Sequence, residues 1–150
     1  EQGVFTRIIA GEACGARAEV STHSPLFYVH WQMAAGATAQ LPAQYPERAA
    51  YVAAGVIDVG GARYDAGQML VFTPGKPVVI TAVTPAIVML LGGEPVGERF
   101  IEWNFVSSSQ ERIEQAKADW RAGRMKLPDF DNQEFIPLPG DPPPPPNPMS

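Results

Sequence analysis

Few side chains in this sequence belong to the types that catalyse reactions or bind metals, and they are scattered. The two histidines, His23 and His30, have no further ligand at a metal-binding spacing. The single cysteine, Cys14, has no adjacent basic residue to activate it as a nucleophile. The serines at 107–109 lack the glycine context of a nucleophilic serine and are better placed to begin a helix. The sequence therefore predicts no catalytic residue and no metal site in this chain.

One short stretch leaves a binding interpretation open. Glu47 and Arg48 closely follow Gln44 and Tyr45, and this group either lines the mouth of a cavity that binds a small anion or forms a surface ion pair worth about 0–1 kcal/mol. His30 alternates with hydrophobic residues on a predicted strand, where a hydrogen-bonded surface or interface histidine is the ordinary interpretation. The candidate ligand-binding residues are therefore Gln44, Tyr45, Arg48 and His30.

The composition limits the class of protein. The chain has 150 residues, 45% of them hydrophobic, which suffices for one domain with a proper core. The net charge is −5 and no basic face is evident, so direct nucleic-acid binding is not expected. No run approaches the roughly 20 apolar residues of a membrane span, so a membrane is not an expected partner either. A single cysteine cannot form an internal disulfide, which favours a reducing, cytoplasmic location.

The elements that position the candidate residues are predicted to be short strands. Between Gly36 and Gly75, apolar runs too short for helices are each closed by Gly or Pro-Gly, which predicts strands joined by tight turns. Similar runs on either side, including Leu26 to Met33 and Phe100 to Val106, bring the total to about nine strands, with residues 11–24 as a loop. Because no βα alternation is present, we expect an all-β sandwich or barrel.

One helix is expected after the strands. Ser108 and Glu111 have the spacing of a capping box, and an apolar stripe continues to Trp120. Gly123 is a natural C-terminal stop. These signals predict a C-terminal helix over about 109–122.

The domain organisation follows from this order of elements. Residues 1–126 are expected to form the folded domain. Residues 127–139 are expected to be extended and to pack back on it, and the proline-rich residues 140–150 to form a disordered tail. Because the chain opens on Glu1 rather than Met, we expect it to be a fragment of a longer protein.

The glycine spacings in the strand block resemble the two motifs of the cupin superfamily of small β-barrels. The first motif, G-x5-H-x-H-x3,4-E-x6-G, runs from Gly36 to Gly55, and the second, G-x5-P-x-G-x2-H, starts at Gly67. The motif positions that carry metal ligands in cupins hold Pro42, Gln44, Arg48 and Val78. Proline and valine offer no donor atom, and an arginine repels a cation. The resemblance implies a cupin-type β-barrel (a jelly roll, or double-stranded β-helix) in which metal binding is lost.

Several further segments resemble one cupin family in particular, the C-terminal half of pirin-like proteins. They follow in order along the chain from about Val4 to Leu138 and are Ile8 to Gly11, Thr22 to Tyr28, Pro46 to Ala49, Leu90 to Pro95, Trp103 to Val106 and Arg112 to Ala116. Pirin-like proteins have two cupin domains packed face to face, of which the N-terminal one holds a single metal, normally iron. The resemblance therefore implies that this chain is the metal-free C-terminal domain, with no cofactor of its own.

The resemblance also implies a function and partners. The domain is expected to be a structural and regulatory support for an absent N-terminal cupin domain, its partner in the same protein. For the full-length protein the resemblance implies quercetin 2,3-dioxygenase activity or a role as an iron-dependent partner of transcription regulators. An isolated half exposes the apolar surface that its partner covered, so we expect self-association, as a dimer.

Two alternatives stay open at this point. The domain could be a stand-alone cupin that binds a small apolar or anionic ligand, with Gln44, Tyr45 and Arg48 at the cavity mouth. It could also be a metal-independent sugar epimerase or isomerase, which requires a general base near a tyrosine. For that chemistry His30 must point into the barrel, together with Tyr28 and Gln32.

Overall fold

The computed structural model describes residues 2–132 and 136–142. The contacts divide the chain into two compact units, Glu1–Val96 and Gly97–Ser150. The first unit contains the strand block with the candidate residues. The second contains the helix.

The first unit has two antiparallel sheets, whose strands are numbered along the chain. In spatial order, the larger sheet consists of β2 (Ala16–Arg17), β1 (Val4–Ala13), β3 (Leu26–Met33), β10 (Ala86–Gly93), β5 (Glu47–Ala54) and β8 (Met69–Phe72). The smaller sheet consists of β4 (Thr38–Gln40), β9 (Val79–Ala82), β6 (Val56–Val59) and β7 (Ala62–Asp65). This is the architecture of a cupin jelly roll, although among the described residues hydrogen bonds do not join the two sheets into a closed barrel.

Glycines with positive φ make the tight turns that the sequence predicted. Gly60 and Gly61 have φ values of 63° and 86° and connect β6 to β7, as a two-residue hairpin loop requires. Gly55, between β5 and β6, has a φ of 78°. A Cβ there would lie 2.2 Å from the carbonyl oxygen of Pro85, so no larger residue fits without moving the backbone.

The core lies between the two sheets and follows the alternation of the strands. On β3, Phe27, Val29, Trp31 and Met33 are buried, whereas the residues between them are half-buried or exposed. Residues of the smaller sheet, such as Ile57 and Ile80, belong to the same buried cluster. The period-2 pattern predicted for residues 26–33 is therefore confirmed, and one face of the larger sheet points into the core.

Two short strands were not predicted. β2 lies inside the segment that was expected to be a loop, where it pairs with the end of β1, and β4 pairs with β9. Neither contains an apolar run, because each is only two or three residues long. Periodicity cannot identify such strands, since their pairing depends on a partner that is distant in sequence.

In the second unit, the prediction of a single strand from Phe100 to Val106 is wrong. The segment forms a hairpin of β11 (Phe100–Glu102) and β12 (Phe105–Ser107), which turns at Trp103 with a φ of 52°. The apparent alternation of Ile101, Trp103 and Phe105 is therefore interrupted by a turn. The Trp103 ring packs against the rings of Phe105 and Trp120, with centroid distances of 5.6 and 5.4 Å, and this cluster joins the hairpin to the helix.

The helix α1 spans Gln110–Arg121, close to its predicted bounds, but its start differs from the prediction. The N-cap residue is Ser109, and its side chain makes no capping hydrogen bond. The predicted capping box, with Ser108 as the N-cap, is therefore wrong. With Ser109 as N-cap, the third helical residue is Arg112 rather than an acidic residue, so the reciprocal bonds of a capping box cannot form.

Residues 136–142 contact α1. The indole Nε1 of Trp120 donates a hydrogen bond of 2.9 Å to the carbonyl oxygen of Ile136, and Leu138 is buried. Arg121 pairs with Asp141 through two hydrogen bonds of 2.7 and 3.0 Å. The predicted extension of residues 127–139 falls partly on residues 133–135, and the predicted disorder of the tail falls mainly on 143–150. Both segments lie outside the described residues.

In the part of the chain that the structure describes, no helix is both long and apolar enough to cross a lipid bilayer.

Candidate functional site

Two of the positions that correspond to metal ligands in cupins hold side chains that cannot coordinate an ion. Pro42 is half-buried and Val78 is buried, and neither side chain has a donor atom. Across residues 2–132 and 136–142, no group of three or more His, Cys, Asp or Glu side chains is close enough together to hold an ion. The residues present therefore do not fit the iron that the cupin resemblance implies for a metal-bearing domain.

The most unusual side chain in the first unit is Arg48, on β5. Its register partners on the two neighbouring strands are Gly92 on β10 and Phe72 on β8. It shares the parity of the buried Ala50 and Val52, and its side chain is on the core side of the sheet. Only 3% of Arg48 is exposed, which makes it the buried charged residue of the described core.

The guanidinium of Arg48 is only partly satisfied. Its Nη2 donates to the carbonyl oxygens of Lys76, at 2.8 Å, and Thr73, at 3.3 Å. Its Nε and Nη1 are buried without a hydrogen-bond partner among the described residues, and the ion pairs of that part of the chain do not include Arg48. Each unsatisfied buried donor costs about 1–3 kcal/mol, and an uncompensated buried charge costs several kcal/mol more.

A cavity of about 450 Å³ lies where the start of β5 meets the ends of β8 and β10, and several of its lining residues, such as Ala49 and Val71, are on the side of the sheet opposite the Arg48 side chain. Arg48 is one of its lining residues, and most of the others are apolar: Pro46, Ala49, Val71, Phe72, Pro74 and Leu91. The remaining lining residues are Glu47, Gly92 and Gly93. The volume and the apolar lining are those of a small-ligand site.

Gln44 and Tyr45 do not line the cavity that includes Arg48. The Gln44 amide donates a hydrogen bond to the carbonyl oxygen of Glu12 and is therefore occupied. The Tyr45 ring stacks on that of Phe27, with centroids 6.0 Å apart, and lines a cavity of about 330 Å³ together with Arg17 and His23. The structure thus separates the predicted cluster: these two residues do not share a cavity with Arg48.

His30 lies on the side of the larger sheet that faces away from the core. It is half-buried between its register partners Arg7 on β1 and Met89 on β10, and its Nδ1 is buried without a partner among the described residues. Its neighbours in alternation, Tyr28 and Gln32, share this side. The epimerase alternative required this group to point inward, and the structure places it on the opposite face. The structure therefore contradicts the inward placement of His30 on which that alternative depends.

The side that carries His30, here called the outer face, combines many apolar side chains with a few polar ones, such as Arg7 and Gln32. Its central residues are Phe5, His30, Met89, Tyr51, Met69 and Val71, and the register pairs place Met89 beside both His30 and Tyr51, and Tyr51 beside Met69. Phe5, Met69 and Val71 are 55%, 58% and 81% exposed. Such an exposed apolar surface is typical of an interaction site.

The outer face was not identified from the sequence, although a signal for it exists. Residues 69–72 and 86–91 are apolar at every position rather than at alternate ones. Continuous apolar strands are typical of sheets that are covered on both faces. The sequence therefore contained a signal for a second apolar surface on this sheet.

Comparison with known proteins gives a family. The model of the Pirin C-terminal cupin domain matches residues 28–126. A pirin-like protein of Caulobacter vibrioides is 66% identical over 137 residues, which are 91% of this chain and 48% of that protein. A Pseudomonas aeruginosa protein with the provisional name quercetin 2,3-dioxygenase is 31% identical over 130 residues, 85% of this chain and 41% of that protein.

A solved structure agrees with the fold. Quercetin 2,3-dioxygenase from Acinetobacter baumannii superimposes with a TM-score of 0.79 at 24% sequence identity, over 95% of this chain and 49% of that one. The chain spans about half the length of the curated relatives it matches.

Proposed function

The chain belongs to the pirin family, as a Pirin C-terminal cupin domain, and on this premise we propose that it is a metal-free half that supports a metal-bearing cupin half of the same protein. The observation that carries the proposal is the buried Arg48. It occupies the carboxylate-ligand position of the first cupin motif and replaces a negative ligand by a positive charge. A cation at this position would be repelled, so any iron belongs to the other half.

The outer face supports the second part of the proposal, the docking of that other half. It combines exposed apolar side chains with strands of the two-sided apolar type. The relatives are about twice as long as this chain, which leaves room for a second domain to cover the face. When that second domain is absent, the outer faces of two copies of this chain can cover each other. The isolated chain therefore forms a dimer through the outer face.

For the activity of the whole protein, this proposal adopts what the names of the relatives and the family resemblance suggest. Quercetin 2,3-dioxygenase chemistry, or an iron-dependent contact with transcription regulators, resides in the metal-bearing half. This chain contributes an apolar cover for that half and takes no part as a catalyst. The acidic net charge of −5 makes direct nucleic-acid binding unfavourable, and the single cysteine suits a cytoplasmic location.

Complementation between separately produced halves tests the proposal. The metal-bearing half of the full-length protein is mixed with this chain, and association is measured by sedimentation velocity and titration calorimetry. We expect a one-to-one complex, which Val71→Lys on the outer face weakens. Val79→Lys is the matched control, because Val79 is also an exposed valine but lies on the smaller sheet. Equal weakening by both variants, or no complex at all, would contradict the docking proposal.

A further inference from the structure

We propose that the half docked on the outer face presents a carboxylate side chain to Arg7 and His30. The inference rests on the docking proposed above and adds the chemistry of the partner surface, which is an acidic residue at the edge of an otherwise apolar contact. Three features of the described residues support it: a row of side chains that changes from polar to apolar across the sheet, donors that lack acceptors, and the distance to the acidic residues of the same sheet.

One row of register partners crosses the outer face. Arg7 on β1 pairs with His30, His30 with Met89, Met89 with Tyr51, and Tyr51 with Met69 on β8. Side chains of register partners lie on the same side of a sheet and contact one another. The row is therefore polar on β1 and β3 and becomes apolar towards β8, so a partner that covers it meets charge at one end only.

The polar end of the row has donors that the described chain does not use. Among residues 2–132 and 136–142, the exposed Arg7 makes no ion pair, and its guanidinium carbon lies 5.7 Å from the centroid of the Phe5 ring on the same face. On His30, Nδ1 is buried without a partner in this part of the chain, whereas Nε2 is accessible. The tautomer with its proton on Nε2 avoids a buried N–H without an acceptor and places a donor on the accessible nitrogen.

The acidic residues on the strands of the larger sheet are too far away to accept from these donors. They are Glu12 and Glu47, and Glu47 belongs to the row of Leu26, four residues before His30 on β3. Four residues of a strand span about 13 Å. Glu12 lies at the same end of the sheet, and the ion pairs of the described residues link neither acid to Arg7. The acceptor must therefore come from the docked half.

A carboxylate fits these donors better than a neutral acceptor. Because Arg7 and His30 are register partners, their Cβ atoms are about 4.5–5.5 Å apart, so the two oxygens of one carboxylate can accept from both side chains. The carboxylate also neutralises the guanidinium, which an apolar cover would otherwise deprive of water without supplying a counter-ion. The relatives are about twice as long as this chain, and the half that this chain lacks is the occupant that we assign to the face.

The test compares the full-length protein with the isolated 150-residue chain, by urea unfolding at a concentration where the isolated chain is monomeric. Arg7→Met should raise the unfolding equilibrium constant of this domain at least about tenfold in the full-length protein, because a charged hydrogen bond is lost. In the isolated chain the change should be less than about twofold. Arg63→Met removes an exposed arginine on β7 of the smaller sheet and is the matched control, which should change neither protein. His30→Gln keeps a donor near the position of Nε2 and should destabilise the full-length protein less than His30→Leu does.

Double-mutant cycles in the full-length protein locate the carboxylate. Each Asp and Glu of the other half is replaced in turn by Asn or Gln, alone and together with Arg7→Met. We expect one replacement whose effect largely disappears in the Arg7→Met background, since the two side chains form one contact. The inference is overturned if Arg7→Met changes the isolated chain and the full-length protein alike, if no acidic residue of the other half couples to Arg7, or if Glu12 or Glu47 of a second copy couples to it instead. Failure of the docking itself is a separate result: Val71→Lys would then destabilise the full-length protein no more than the isolated chain, and both proposals would fail.

Discussion

Arg48 lies directly opposite Gly92 across the β5–β10 pair, so the buried arginine has no side chain beside it in that direction. The space over Gly92 is filled instead by the ring of Phe27, whose Cε1 lies 2.3 Å from where a Cβ on Gly92 would stand. Phe27 is itself 1% exposed and stacked on Tyr45. The packing of Phe27 next to Arg48 therefore depends on the absence of a side chain at Gly92.

Replacement of Arg48 by methionine should leave the free energy of unfolding unchanged or raise it by about 1–3 kcal/mol, because it removes a buried charge that has no counter-ion among residues 2–132 and 136–142. The Thr73 and Lys76 carbonyls belong to exposed residues and can bond to water instead. Urea denaturation checks this. Arg63→Met serves as the exposed control and should change stability by no more than about 0.5 kcal/mol. A loss of more than about 3 kcal/mol on Arg48→Met would show that the loop bonds of Arg48 dominate its energetics.

Gly92→Ala should destabilise the first unit by about 1–3 kcal/mol, because the added methyl overlaps the Phe27 ring and lies 2.8 Å from the Glu47 carbonyl oxygen. The matched control is Gly93→Ala, where the contacts of a Cβ begin at 3.0 Å. Its loss should be clearly smaller. Both are measured by urea denaturation, with near-ultraviolet circular dichroism to report the packing of the aromatic rings. Equal losses for the two variants would contradict the proposed fit of Phe27 over Gly92.

The outer face predicts the oligomeric state of the isolated chain. Sedimentation equilibrium should show a dimer whose dissociation constant rises on Val71→Lys or Met69→Lys, because each places a charge in an apolar contact. The control Val79→Lys should leave the dimer intact. A monomer at all concentrations, or a dimer that both valine variants weaken alike, would argue against self-association through this face.

The Arg121–Asp141 pair predicts a pH dependence in the second unit. Two hydrogen bonds from Arg121 are the largest cause that lowers the pKa of the Asp141 carboxyl below its ordinary value. Because the folded pKa lies below the unfolded one, the pair stabilises the unit above the ordinary carboxyl pKa and loses this contribution as the pH falls through the lowered value. Carbon NMR of the Asp141 carboxyl should show a midpoint below that of an unstructured aspartate.

Asp141→Asn should remove the pH dependence of stability that the Arg121–Asp141 pair contributes, because the amide of asparagine does not titrate. The Asp119 carboxyl, which Arg124 holds at a lowered pKa in the same way, should titrate unchanged in that variant and serves as an internal control. An ordinary midpoint for Asp141 would show that the pair does not persist in solution.

Comparison of the sequence-based predictions with the structure shows which features are local. The strand of residues 26–33 and the helix near 110–121 were predictable because their periodicity lies within one segment. The hairpin at Trp103 was missed because its positive φ occurs at a residue that rarely adopts it. β2 and β4 were missed because they exist only through distant partners.

For the candidate site, the sequence identified Arg48 but not its surroundings. The motif spacing marked the position, whereas the burial of the guanidinium depends on Gly92 and on the loop at 73–77, which are distant in sequence. Gln44 and Tyr45 were grouped with Arg48 because they are near it in sequence. These two residues precede β5, so the alternation of side chains along the strand does not predict which cavity they line.

Metal content tests the central claim most directly. Elemental analysis is made on this chain and on the full-length protein, purified side by side after identical iron supplementation. The account predicts near-stoichiometric iron in the full-length protein and none above background in this chain, with Arg48→Glu still unable to bind iron because Pro42 and Val78 supply no donors. Near-stoichiometric iron in this chain alone would contradict the account, and His23 and His30 would then be the first ligands to replace.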